Sequence, residues 1–237
     1  MSEWTPRRFY EQATPTETSS GYGIALDGHR VMTPGKSALV VPSRALAEAI
    51  AAEWQAQGEK IDPGSMPFTR TANSAIEKVA PQKDAVAQML ADYGDSDLLC
   101  YRAAEPDALV RRQADLWDPM LDWAAASLGA RLVPVTGIMH APQDAMALKN
   151  LADRVHRMTE FELAAFHDLV AVSGSLILGF AATGPDHDPD DLWSLSRLDE
   201  CWQEETWGVD EEAQALALHK RAAFLHAHRF FVLSGAD

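Results

Sequence analysis

Residues 22–34, YGIALDGHRVMTP, set two short apolar runs on either side of Asp27-Gly28. Both central positions of a two-residue hairpin turn require positive φ, which Asp and Gly tolerate, so this pair commits the region to antiparallel strands. Other strand signals cluster around it. RRFYEQATPTE, starting at Arg7, reads as a first strand, Thr33-Pro34-Gly35 as a second turn, and SALVVP as a strand ending at Pro42. DLLCYR, from Asp97 to Arg102, and RLVPVTGI read as two further short strands. Between them Ser43 caps a helix in which Leu46, Ala49, Ile50 and Trp54 share one face, with Gly58 beyond its end. The place of Trp54 on that stripe predicts a structural role for it. IDPGSMPFTRTANS reads as an ordered loop packed by Met66 and Phe68, and QKDAVAQMLADYG as a helix. PDALVRRQADLWDPMLDWAAASLG is a long amphipathic helix that Pro119 should kink or divide.

From about His140 onward the strand signals stop and helical periodicity continues to the end of the chain. LAAFHDLVAVSGSLILGFAA predicts two core helices, or one broken near Gly174. DPDDLWSLSRLDECWQEETWG predicts a helix begun by Asp188 and Pro189 and stopped by Gly208. The expected fold is α+β: an antiparallel-strand-rich α+β domain over residues 1–139, then an all-α helical bundle domain over residues 140–237.

No apolar run reaches the roughly 18 residues of a membrane-spanning helix. The opening MSEWTPRRFYEQA lacks an apolar core and carries Glu3 and Glu11, which points to a protein that stays in the cytoplasm. Cys100 and Cys201 have neither redox nor zinc spacing. With a net charge of −15 the chain repels nucleic acid and anionic lipid and attracts basic surfaces.

Motifs for small-molecule chemistry are missing. There is no phosphate-binding Gly-rich loop opening a helix, no Gly-x-Ser-x-Gly elbow, and no His-x-x-x-His. His226 and His228 stand two apart, about 200° around a helix of ~3.6 residues per turn, and cannot share a metal there. DHDPDD lacks the Gly and distal Glu of a calcium loop and serves as a helix start. The residues imply no cofactor, no metal and no small-molecule substrate.

The charge itself is concentrated. From Asp186 to Glu212 eleven Asp and Glu stand against one Arg, a net of −10 in 27 residues. Within this run Glu200, Gln203, Glu204 and Trp207 fall at i, i+3, i+4 and i+7, one helix face, while Leu195, Leu198 and Trp202 form the apolar seam. A polar face bearing a tryptophan fits two readings: a solvated surface, or a recognition surface whose carboxylates meet arginines and whose aromatic anchors a partner. Asp199, Glu200, Gln203, Glu204 and Trp207 are therefore the candidate partner-binding residues, with Gly208 as the helix stop.

RLDECWQEETWG, from Arg197 to Gly208, resembles the Arg-Leu-Glu-Glu-x-x-Gln-x-x-x-Trp-Gly signature of assembly chaperones for the catalytic head of F-type ATP synthase, the mitochondrial ATP synthase assembly factor 2 family. Asp199 stands where that family often has Glu. RRFYEQA is similar to the family's opening segment, and residues 25–73 to its Leu-Asp-Gly-Arg, Thr-Pro, Glu-Trp and Met-Pro stretch, with His29 inserted between Gly28 and Arg30. DSDLLCYR is similar to its Thr-Asp-Thr-Leu-Leu-Tyr-Arg, with Ser96 and Cys100 as departures. The resemblance implies a non-enzymatic chaperone that binds the free α subunit of ATP synthase until β arrives. Two alternatives stay open on the residues: an acidic adaptor for another basic partner, and an enzyme with a scattered carboxylate site.

Overall fold

The computed structural model describes residues 7–235; the reading of the extreme N-terminus, Glu3 included, lies outside them. The fold is α+β, about 62% helical, with a small antiparallel sheet near the N-terminus and helices after it. Contacts divide the chain into two compact units. One takes residues up to Lys83 with Thr159–Ala165 and the chain from Arg229; the other takes Asp84–Met158 and Phe166–His228. The 139/140 boundary expected from the sequence falls inside the second unit.

In the first unit β1 (Ala13–Thr18) pairs antiparallel with β2 (Gly21–Leu26), which also pairs with β3 (His29–Arg30) and β4 (Val40–Val41). The β2–β3 turn is the expected one, with Asp27 at φ 45° and Gly28 at φ 84°. The Asp27 carboxylate accepts from the Glu11 and Gln12 amides, each at 2.9 Å. The first strand is shorter than the sequence suggested. Arg8, short of β1, donates to the Gln57 carbonyl at 2.6 Å and the Gln55 carbonyl at 3.1 Å, so this stretch ties down the end of a helix instead of extending the sheet.

That helix, α1 (Arg44–Gln55), is capped by Ser43, whose Oγ accepts from the Leu46 amide at 3.1 Å. Leu46, Ala47 and Ile50 are buried, and the helix packs on β1, β2 and β4 of the sheet, whose Ile24, Leu26 and Val41 are buried too. The stretch read as a loop around Met66 is helical: a single tight turn at Pro63–Ser65, then α2 (Pro67–Ser74), with Met66 and Phe68 buried. No local side chain caps α2. Glu53 of α1 does so from fifteen residues away, accepting from the Phe68 amide at 2.6 Å and the Thr69 amide at 2.8 Å. Burial nevertheless holds the Glu53 carboxyl above its ordinary range, against these hydrogen bonds.

In the second unit α3 (Lys83–Ala91) leads to Asp97, which is fully buried. Its carboxylate accepts from the Leu99 amide at 3.0 Å, bending the chain into a turn at Leu98–Cys100, so only Tyr101–Arg102 (β5) remains extended. β5 pairs in parallel with β6 (Val135–Thr136). α4 (Asp107–Trp123) passes through Pro119 as one element, so of the two outcomes expected there, a kink or a division, the division does not occur. Pro119 and Asp115, four residues before it, lie on the exposed side, where water can take up the carbonyl that proline leaves unpaired. A wider turn at Ala124–Leu128 ends at Gly129, φ 66°.

Then follow α5 (Ala145–Val155), α6 (Glu160–Ser173) and α7 (Leu176–Ala181), with the predicted break at Gly174, φ 73°. Ser175 caps α7 and donates to Asp97 at 2.8 Å, while the Ile177 amide donates to the same carboxylate at 3.0 Å.

Candidate functional site

The acidic segment expected as one helix is two: α8 (Pro189–Ser196) and α9 (Leu198–Trp207). Asp188 caps α8 through the Asp190 amide at 2.8 Å. The break falls at Arg197, φ −105° and ψ 10°. Two interactions account for it. The Trp117 indole of α4 donates to the Leu195 carbonyl at 3.0 Å, occupying an acceptor that a continuous helix would use. The Arg197 side chain then turns forward along α9, donating to Glu200 Oε1 at 3.0 Å and Glu204 Oε1 at 3.2 Å.

One side of α9 faces α4. Leu198 is buried there, and Asp199 Oδ1 accepts from Gln113 Nε2 at 2.7 Å. Gln113 is itself buried, with its Oε1 accepting from the Ala103 amide at 2.8 Å. Arg112 lies 6.0 Å over the Trp202 ring and binds Glu205 through two parallel bonds of 2.6 and 2.9 Å. That hydrogen bonding holds the Glu205 carboxyl below the usual carboxylate range. Between the two sides Cys201 is half-buried, its thiol pushed up by burial and by the neighbouring Glu204, so it stays protonated.

The other side carries Glu200, Gln203, Glu204 and Trp207. Glu200, Gln203 and Trp207 are exposed, Trp207 to 77%, and Glu204 is half-buried. The structure thus places four of the five candidates on one outward face and turns the fifth, Asp199, inward to Gln113. Two of the carboxylates are already joined to Arg197. The sequence reading gave this face no basic partner, although the arginine stands three residues before Glu200.

Gly208, φ 94°, ends α9, and its amide donates to the Glu204 carbonyl at 3.0 Å. Asp210 then caps α10 (Glu211–Ser234) through the Glu212 amide at 2.9 Å. Val209, Leu216 and Leu218 are exposed, and nearly every residue from Glu211 to Ala222 is open to solvent. The sequence signal for this was present but unread: the first three turns of α10 are polar or small on every side but for those two leucines.

Trp54 lies at the end of α1, half-buried, with the Tyr10 ring edge-on at 5.9 Å and the Tyr10 hydroxyl donating to its carbonyl at 2.7 Å. Among the described residues no three His, Cys, Asp or Glu side chains converge as a metal site. No described helix is long and apolar enough to cross a membrane.

Comparison with known proteins gives the class first: chaperones. Atp12 from Paracoccus denitrificans superposes with a TM-score of 0.96 at 50% identity, 98% of this chain covering 100% of that one. A point mutant of the same protein gives a TM-score of 0.96 at 50% identity, over 99% of this chain and 100% of that one. The mitochondrial protein atp12 of Schizosaccharomyces pombe is 22% identical over 222 residues, 89% of this chain and 76% of that one. The profile of the family described as ATP12 chaperone protein matches residues 7–125. This chain belongs to the ATP12 chaperone family, a family of ATP synthase assembly chaperones.

Proposed function

We propose that this protein binds the free α subunit of the ATP synthase catalytic head through the outward side of α9 and the corner that follows it, and releases it when β arrives. The observation that carries the reading is Trp207. A tryptophan 77% exposed at a helix end, beside Glu200, Gln203 and Glu204, has the form of an interface anchor within a polar rim. A free α subunit exposes surface meant to be buried against its neighbours, which is an aggregation hazard. Covering that surface and yielding it to β needs no fuel, so the protein acts by competition and carries no catalytic residue. Capping by Asp210 and the glycine stop keep the corner in one conformation before the client arrives, lowering the ordering cost of binding.

Trp207→Ala tests it. The side chain supports little of the fold, so thermal melting should hold within about ±0.5 kcal/mol of wild type. Protection of the α subunit from aggregation should fall at least about tenfold, since interface anchors cost ~2 kcal/mol or more on truncation. A variant that melts and protects like wild type would sink the reading.

A further inference from the structure

Residues 132–143, which include β6 and run up to the start of α5, contain no Asp, Glu, Lys or Arg in a chain of net charge −15. The segment is anchored along both limbs. Gln143 closes it at the base, its Oε1 accepting from the Val133 amide at 2.7 Å and its Nε2 donating to the Val133 carbonyl at 2.9 Å. The Gln143 amide donates to Asp95 Oδ1 at 2.8 Å, and His140 Nε2 lies 3.2 Å from Asp95 Oδ2. On the outgoing limb β6 pairs with β5, and the Gly137 amide donates to the Arg102 carbonyl at 2.8 Å. Between these anchors Gly137 turns at φ 90° and Ile138 and Met139 stand 93% and 81% exposed. A loose loop would fold two such side chains against the protein surface. This one is held at its base with its apolar tip in water.

We infer that the Ile138–Met139 tip is a second client contact, an apolar plug for an apolar pocket with a basic rim on the same free subunit; the inference rests on the function proposed above. The charges choose the occupant. The chain's net charge of −15 favours a partner whose rim is basic. A second copy of this chain brings another −15, and an anionic bilayer is repelled in the same way. Two side chains also bury less than the single acyl chain that anchors only marginally. An unassembled subunit is the partner that offers apolar surface awaiting burial.

The test is the full-length chain with Ile138→Ser and Met139→Ser, against wild type, in α-subunit aggregation and binding assays. Both residues are exposed, so melting should be unchanged. Affinity should fall at least about tenfold, as both apolar side chains lose their burial in the client. The loss should be the same at low and high salt, and Ile138→Leu with Met139→Leu should restore binding. A photo-crosslinking benzophenylalanine in place of Ile138 should join the chain to α, which also covers the case of a serine variant that misfolds. Full protection by a folded serine variant overturns the inference, as does a crosslink to a second copy or wild-type binding to phosphatidylglycerol vesicles lost in the variant. If wild type itself does not protect α, the proposed function fails and takes this inference with it. If wild type protects α and the loop variant does too, this inference alone fails.

Discussion

Arg197 and Glu204 are joined at 3.2 Å across two turns of helix α9, and the same guanidinium holds Glu200 at 3.0 Å. The arginine side chain is only 16% exposed, so the acidic face has a positive charge built into its root. Glu200→Lys with Glu204→Lys would set three cations together where one ion-pair cluster now stands. Like charges and lost pairs of this kind cost about 1–2 kcal/mol, so this double variant should fold but melt below wild type. Its protection of the α subunit should be lost. Glu200→Gln with Glu204→Gln separates the effects, keeping shape without repulsion. Circular dichroism melting beside an aggregation assay reads both, and full protection by a folded lysine double variant leaves the face a solvated surface only.

We expect Trp54 to be structural: its ring meets the Tyr10 ring edge-on, and its backbone carbonyl accepts from the Tyr10 hydroxyl. Trp54→Ala should cost about 3 kcal/mol, the lower end for a buried tryptophan because the ring is half-buried. Tyr10→Phe, which removes one hydrogen bond, should cost about 1 kcal/mol. Urea midpoints measure both. A Trp54→Ala chain as stable as wild type that fails to protect α would make Trp54 an interface residue.

Asp97 should make the protein less stable toward neutral pH. Burial raises its carboxyl from 3.8 to about 6, and the donated bonds from Ile177, Leu99 and Ser175 do not overcome it. The folded value lies above the unfolded one, so the native state keeps a proton that the unfolded chain releases. The contribution of Asp97 is therefore full below pH ~4 and declines as pH rises to about 6, by ~3 kcal/mol at 1.36 kcal/mol per pH unit. Asp97→Asn should flatten that slope whatever it does to absolute stability. Urea unfolding across this pH range decides it; an unchanged slope refutes the assignment.

Gly208→Ala should cost about 1–2 kcal/mol through the backbone alone, because a Cβ at φ 94° meets no atom within 4 Å yet strains the chain. The same change should shift the Trp207 fluorescence of the corner. A fully neutral effect on melting would show that the corner already samples other conformations.

The hairpin, Leu46 and Ile50 of the α1 stripe, the Gly174 break and the Asp188 and Gly208 boundaries were legible because each depends on residues adjacent in sequence. What was not legible depends on distant partners. Glu53 makes a helix of a Pro- and Gly-rich stretch by capping it from another element, and Trp117 breaks α8 from α9 through one carbonyl. Asp97 replaces most of a predicted strand with a turn by accepting from the nearby Leu99 amide, but what buries it there, Ser175 and Ile177, lies about 80 residues away in sequence. At the site, spacing found the outward face of α9. It could not tell that Asp199 turns to Gln113, since that contact spans 86 residues.

The first unit closes only with the stretch of α10 from Arg229 onward. Ser43, the cap of α1, donates to the Leu233 carbonyl, and Phe68 stacks on Phe230 at 6.1 Å. On a ribosome, therefore, the sheet and its helix are made well before the stretch from Arg229 that completes their unit. A chain truncated before Arg229 would leave Phe68 without the ring it stacks on and open the apolar bed of Phe230 to water.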